Sequence, residues 1–108
     1  MTVEYSTGAE ITVTMGIGSA QTAAINLGGF CRWVRMTADG IDVGQNYRMY
    51  AGLNNVTFYP VCVNATPQMS ATNALFIIFE IGYAQWIQIW AAGVQTAVRT
   101  INVRGYSL

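Results

Sequence analysis

The sequence predicts an all-β chain folded as a single antiparallel β-sandwich or jelly roll of about seven to eight short strands. Three observations predict it. Residues 10–17 (EITVTMGI) alternate apolar and polar side chains with the period of a half-buried strand. Segments rich in β-branched and aromatic residues recur between clusters of Gly, Asn, Asp and Pro, at nearly regular spacing. No stretch keeps a helical period long enough to define a helix.

The elements follow in order. Residues 10–17 form the first strand, and residues 18–21 break it. Residues 24–27 make a short second strand that Gly28 and Gly29 end. Residues 30–37 (FCRWVRMT) make a third, dense in the residue types that suit a pleated surface. Asp39-Gly40 and Val43-Gly44 punctuate the chain as turns. Residues 47–51 form a strand, and residues 52–55 turn it. Residues 56–63 are strand-like but contain Pro60, which cannot donate to a ladder, so this strand belongs at an edge or a bulge. Residues 65–73 read as a polar loop containing Pro67. Residues 75–81 form a buried apolar strand, Gly82 interrupts, and residues 84–90 form the next. Gly93 opens the last turn, and residues 96–103 close the fold.

The 108 residues suit one domain with one core, with residues 1–9 as an N-terminal arm and 105–108 as a C-terminal tail. The chain is 53% hydrophobic and only 9% charged. Soluble domains carry about a quarter charged residues, so much of this surface is expected to be covered in the working state. Five arginines balance five acids, with no lysine and no histidine. That leaves no basic stripe for nucleic acid and no polybasic membrane patch. The N-terminus lacks the basic start and apolar stretch of a secretion signal. The longest apolar run, residues 74–79, is too short to span a bilayer.

The catalytic inventory is thin, and no enzyme is expected. Without histidine there is no Ser-His-Asp or Cys-His pair. Without lysine there is no Schiff base. Gly16 and Gly18 lack the third glycine of a dinucleotide loop. No cofactor or metal is expected. Asp39 and Asp42 read as turn residues, since an oxygen cage needs more ligands than two. Glu80 is expected to pair with an arginine, Arg99 or Arg35. Cys31 and Cys62 sit in apolar runs and read as buried free thiols, with a cross-sheet disulfide left open by the spacing.

The aromatic residues say more. In residues 85–90 (QWIQIW), strand alternation places Gln85, Ile87 and Ile89 on one face and Trp86, Gln88 and Trp90 on the other. Trp33 and Arg35 share a face in the same way. These tryptophans could fill the core, but a sandwich has only one inside. Trp, Tyr and Arg are also the types enriched at interface hot spots. The expected protein interface is therefore Trp33, Arg35, Tyr50, Tyr59, Trp86, Gln88 and Trp90.

Two longer segments carry a family resemblance. Residues 83–89 (YAQWIQI) followed by residues 93–103 (GVQTAVRTINV) resemble the closing hairpin of small β-sandwich virion proteins of tailed bacteriophages. Residues 19–30 (SAQTAAINLGGF) resemble the opening of the same proteins, and Asp39-Gly40 falls near their turn. Residues 45–69 depart from the pattern. The resemblance implies a jelly-roll-like virion structural protein of the capsid decoration or cement type. It implies a homo-oligomer, a trimer by preference, bound to the major capsid protein on the capsid surface. The alternative from the residues is a tail or head-fibre module that binds host-surface carbohydrate through its aromatic and amide groups.

Overall fold

The computed structural model describes residues 9–42, 45–63, 66–67 and 75–107. Among these the chain is all-β, with no helix. The strands are β1 (Ile11–Met15), β2 (Ile25–Ala38), β3 (Tyr47–Gly52), β4 (Tyr59–Pro60), β5 (Cys62–Val63), β6 (Thr66–Pro67), β7 (Leu75–Ala91) and β8 (Arg99–Tyr106). Six of them form one antiparallel sheet in the order β1-β8-β2-β7-β3-β4, and β5 pairs with β6 alone.

The antiparallel all-β pairing is as expected, but two strands are far longer than the short strands expected of a sandwich or jelly roll, and six strands join in one sheet. The physical reason lies at two glycine sites read from the sequence as breaks. Residues 24–27 and 30–37 are one strand, β2, which runs through Gly28 at φ 87°. Residues 75–81 and 84–90 are likewise one strand, β7, which runs through Gly82 at φ 70° and Tyr83 at φ 63°. The two irregular sites face each other. Between the Asn26–Trp86 and Cys31–Ala84 pairs, β2 advances further than β7; between Cys31–Ala84 and Trp33–Glu80, β7 advances further than β2. Extra residues of this kind bend and twist a strand without ending it.

The bend solves a burial problem. A sheet must cover its apolar face, and no helix is described that could do so. Val34 and Met36 of β2, Ile101 and Val103 of β8, Ile87 and Ile89 of β7 and Met49 of β3 are at most 1% exposed, in one cluster. The sheet therefore curls over its own apolar side.

Other differences follow from pairing. The last strand begins later than expected and runs to Tyr106. Gly105 and Tyr106 pair with Val34 and Trp33, so they belong to the sheet rather than to a tail. The strand expected over residues 56–63 is divided into β4 and β5. Pro60 sits in β4 at the end of the sheet order, where a missing donor costs nothing. Pro67, expected in a loop, lies in β6. Residues 65 and 68–73 of that loop, and residues 1–8 of the expected arm, lie outside the described residues.

One end of the molecule is tied by Gln95, which is 1% exposed. Its backbone donates to Ser19 O and accepts from Gly18 N. Its side chain donates to Gln45 Oε1 and Gly93 O, and accepts from Asp42 N and Arg99 Nε. A buried amide so completely satisfied pins three loops together.

Candidate functional site

The outer side of β3 and β7 carries an aromatic face. The strands pair with Arg48 opposite Trp90, Tyr50 opposite Gln88 and Gly52 opposite Trp86. Directly opposed residues of an antiparallel pair project to the same side. Tyr47, Met49, Ile87 and Ile89 fill the other side and are buried. This leaves Arg48, Tyr50, Trp86, Gln88 and Trp90 half-buried on the outside. Pro60 opposite Tyr50, and Asn26 opposite Trp86, extend the face on either flank.

The face is internally organised. The Tyr50 and Trp90 rings lie with centroids 4.9 Å apart at 31°. The Trp90 indole donates to Gln88 Oε1 at 2.9 Å, and the Gln88 amide donates to Thr22 O at 2.9 Å. Trp90 is thus held by a tilted tyrosine ring on one side and a fixed amide on the other. Among the described residues Arg48 makes no ion pair. An arginine with no carboxylate partner among the described residues, beside two tryptophans and a tyrosine, has the composition of an interface hot spot.

Trp33 and Arg35 are elsewhere. They lie on the outer side of the other half of the sheet, beyond the bend. Trp33 stands between Glu80 and Tyr106, and Arg35 between Ile78 and Arg104. The Arg32 guanidinium lies 5.3 Å from the Trp33 ring, and Arg104 lies 5.8 Å from Tyr106. Glu80 pairs with Arg32 at 3.4 Å, not with Arg99 or Arg35 as expected. The other two are taken: Arg35 pairs with Glu10, and Arg99 with Asp42 at 2.5 Å.

Tyr59 belongs to neither face. It lies opposite Ala51, is 68% exposed, and borders an open groove of about 360 Å³ with Leu53, Asn54 and Gly82. The seven expected interface residues therefore divide into three places. The structure brings Tyr50, Trp86, Gln88 and Trp90 together, and it separates Trp33 with Arg35, and Tyr59, from them. Arg48 was missed, although alternation back from Tyr50 puts it on the same face.

The titratable groups are structural in their surroundings. The Asp42 carboxyl accepts from Arg99 Nη2, Thr96 N and Thr96 Oγ1. Chiefly the Arg99 hydrogen bond holds it below the usual carboxylate range. Asp39 accepts from Thr100 N, so the side chains of both aspartates tie their segment to residues 96–100 rather than bonding within a turn. Tyr47 donates to Gly40 O at 2.6 Å, and burial pushes its hydroxyl up to about 12. Cys31 is a buried free thiol, raised by desolvation. Among the described residues no three His, Cys, Asp or Glu side chains gather in a way that could hold a metal ion.

Fold and faces together define a small all-β module whose gathered chemistry is aromatic, amide and guanidinium. The same fold occurs in known structures. The SPBc2 prophage-derived protein YomS aligns with 99% of this chain and 100% of its own, at a TM-score of 0.60 and 16% identity. A family 89 glycoside hydrolase from Clostridium perfringens aligns with 91% of this chain at a TM-score of 0.50 and 13% identity, but only 14% of the enzyme is covered. No protein-family model and no curated protein sequence matches the chain.

Proposed function

We propose that the protein is a structural component of a tailed-phage particle, acting as a capsid decoration or cement protein. Its outer face of Arg48, Tyr50, Trp86, Gln88 and Trp90 docks on the major capsid protein. The single observation that carries this reading is that face. The core closes without it, yet it holds two tryptophans, a tyrosine in ring contact with one of them and an arginine with no ion pair among the described residues. Supporting it, the whole chain shares its fold with the whole of a prophage-derived protein.

The mechanism is adhesive. Docking removes apolar area from water at about 25 cal/mol per Å², and a capsid repeats each contact by symmetry. Arg48 supplies direction, since its guanidinium fits a carboxylate on the partner. The test compares capsid occupancy with melting temperature for Trp86→Ala. Occupancy is expected to fall at least tenfold, with melting shifted by only a few degrees, because Trp86 does not fill the core. Equal loss of both would assign Trp86 to folding and remove the interface.

A second reading rests on the groove at Tyr59. An exposed tyrosine over a glycine floor, with Asn54 beside it, suits one sugar ring of host-surface carbohydrate. Saturable binding of a saccharide, lost in Tyr59→Ala and kept in Trp86→Ala, would favour this reading over the first.

A further inference from the structure

The two edges of the sheet are built differently. The β4 edge is two residues long and contains Pro60, a combination that prevents another strand from adding there. The β1 edge is five residues, Ile11-Thr12-Val13-Thr14-Met15, with no proline, no charge and no glycine. Among the described residues β1 pairs only with β8, so its outer backbone groups face away from the sheet. Natural proteins guard such an edge with lysine, proline, a bulge or a covering segment, and none of the first three is present within β1.

The side chains of β1 also leave the core margin open. Ile11 and Val13 pack against the buried cluster but are only partly covered, whereas Met15 is fully buried. Thr12 and Thr14 are exposed on the opposite side. The strand is self-complementary about Val13. An antiparallel copy set on a two-fold axis there places Val13 against Val13, Ile11 against Met15, and Thr12 against Thr14. Every inner pair is then apolar, every outer pair is threonine on threonine, and no like charges oppose. An isologous interface requires this self-matching.

We infer that β1 is a homodimerisation edge, at which a second copy of this chain adds its own β1 antiparallel to make one continuous sheet across the two-fold axis. The pairing satisfies the outer backbone groups of both strands and covers Ile11 and Val13 of both copies. It makes the free protein a dimer in place of the trimer that the family resemblance implies. It does not depend on the capsid reading, because it uses neither the aromatic face nor a capsid partner.

The test uses the full chain in light scattering, where the monomer mass is 11.8 kDa. Wild type is expected at twice that mass. Thr12→Lys combined with Thr14→Lys sets lysine against lysine across the axis on a surface that tolerates them, and is expected to run as a folded monomer. Thr12→Glu combined with Thr14→Glu is expected to do the same. An equimolar mixture of the two is expected to return to the dimer mass, since the register sets each lysine against a glutamate. Circular dichroism confirms that each variant is folded. A monomeric wild type, an oligomer that both variants leave intact, or a mixture that stays monomeric would overturn the inference.

Discussion

At the scale of single residues, space and charge decide more than hydrophobicity does. Gly105 shows the first. A Cβ built there would lie 2.5 Å from Cys31 Sγ and 3.5 Å from Leu27 Cβ. Its φ is not in the left-handed region, so the demand is for room, where β8 passes under the bend of β2. Gly105→Ala is expected to lower stability by about 1–3 kcal/mol, the usual cost of overpacking. Adding Cys31→Ala is expected to restore most of that loss in a denaturant titration. Asp42 shows the second. Its folded carboxyl lies below its unfolded value, chiefly through the Arg99 hydrogen bond. The sign is therefore fixed: its contribution is present above the ordinary carboxylate pKa of about 3.9 and is lost as pH falls through the lowered folded value. Asp42→Asn should reduce stability at neutral pH and flatten the acid limb of a melting-temperature profile. An unchanged acid limb would place the dependence on other carboxylates.

At the scale of the element, a glycine that ends a strand and one that bends it look alike in sequence. Gly28 and Gly82 both hold left-handed backbone, as turn glycines do. What separates the two cases is whether the chain then reverses, and that is set by pairing with residues far away. Leu27 and Cys31 stay in one strand because β7 continues beside both. The alternation in residues 86–90, by contrast, is legible, since it depends only on local geometry: Ile87 and Ile89 are buried, and Trp86, Gln88 and Trp90 face out, whereas Gln85, next to the bend, is not buried with them and donates to Asn26. For the same reason Tyr50 joins the tryptophans by simple register, whereas Trp33 and Arg35 lie on another surface, beyond a bend that reads in the sequence as a break between strands. Gly82→Ala tests the bend. No atom lies within 4 Å of the Cβ it would add, so only backbone strain opposes it. A loss of about 1 kcal/mol is expected, readable as a lower denaturant midpoint at unchanged slope.

At the scale of the molecule, the outer surfaces divide the labour that composition hinted at. A chain with few charges has spent them in pairs: Arg32 with Glu80, Arg35 with Glu10, and Arg99 with Asp42. The pairs hold the half of the sheet around Trp33 and the loop end around Gln95. The half around Trp90 keeps Arg48 free of an ion pair among the described residues. Trp86→Ala therefore separates docking from folding, because it removes contact surface while the buried core and the Gln95 tie remain intact. Double substitution of Trp86 and Trp90 would be less informative, since the Trp90 indole also anchors Gln88.

The pairing of β1 with β8 has a bearing on how the chain reaches this state. Ile11 must find Val103, and Met15 must find Arg99, before the sheet's first edge exists. No short-range hairpin can nucleate that contact, and the two longest strands, β2 and β7, are also joined only across a wide separation in sequence. Most of the entropy of closing long loops is lost before the apolar face is covered. Folding on the millisecond-to-second scale follows, as for other non-local β topologies. During synthesis the apolar strands emerge well before the partner that closes them, so the nascent chain remains exposed until its last sheet residues have left the ribosome.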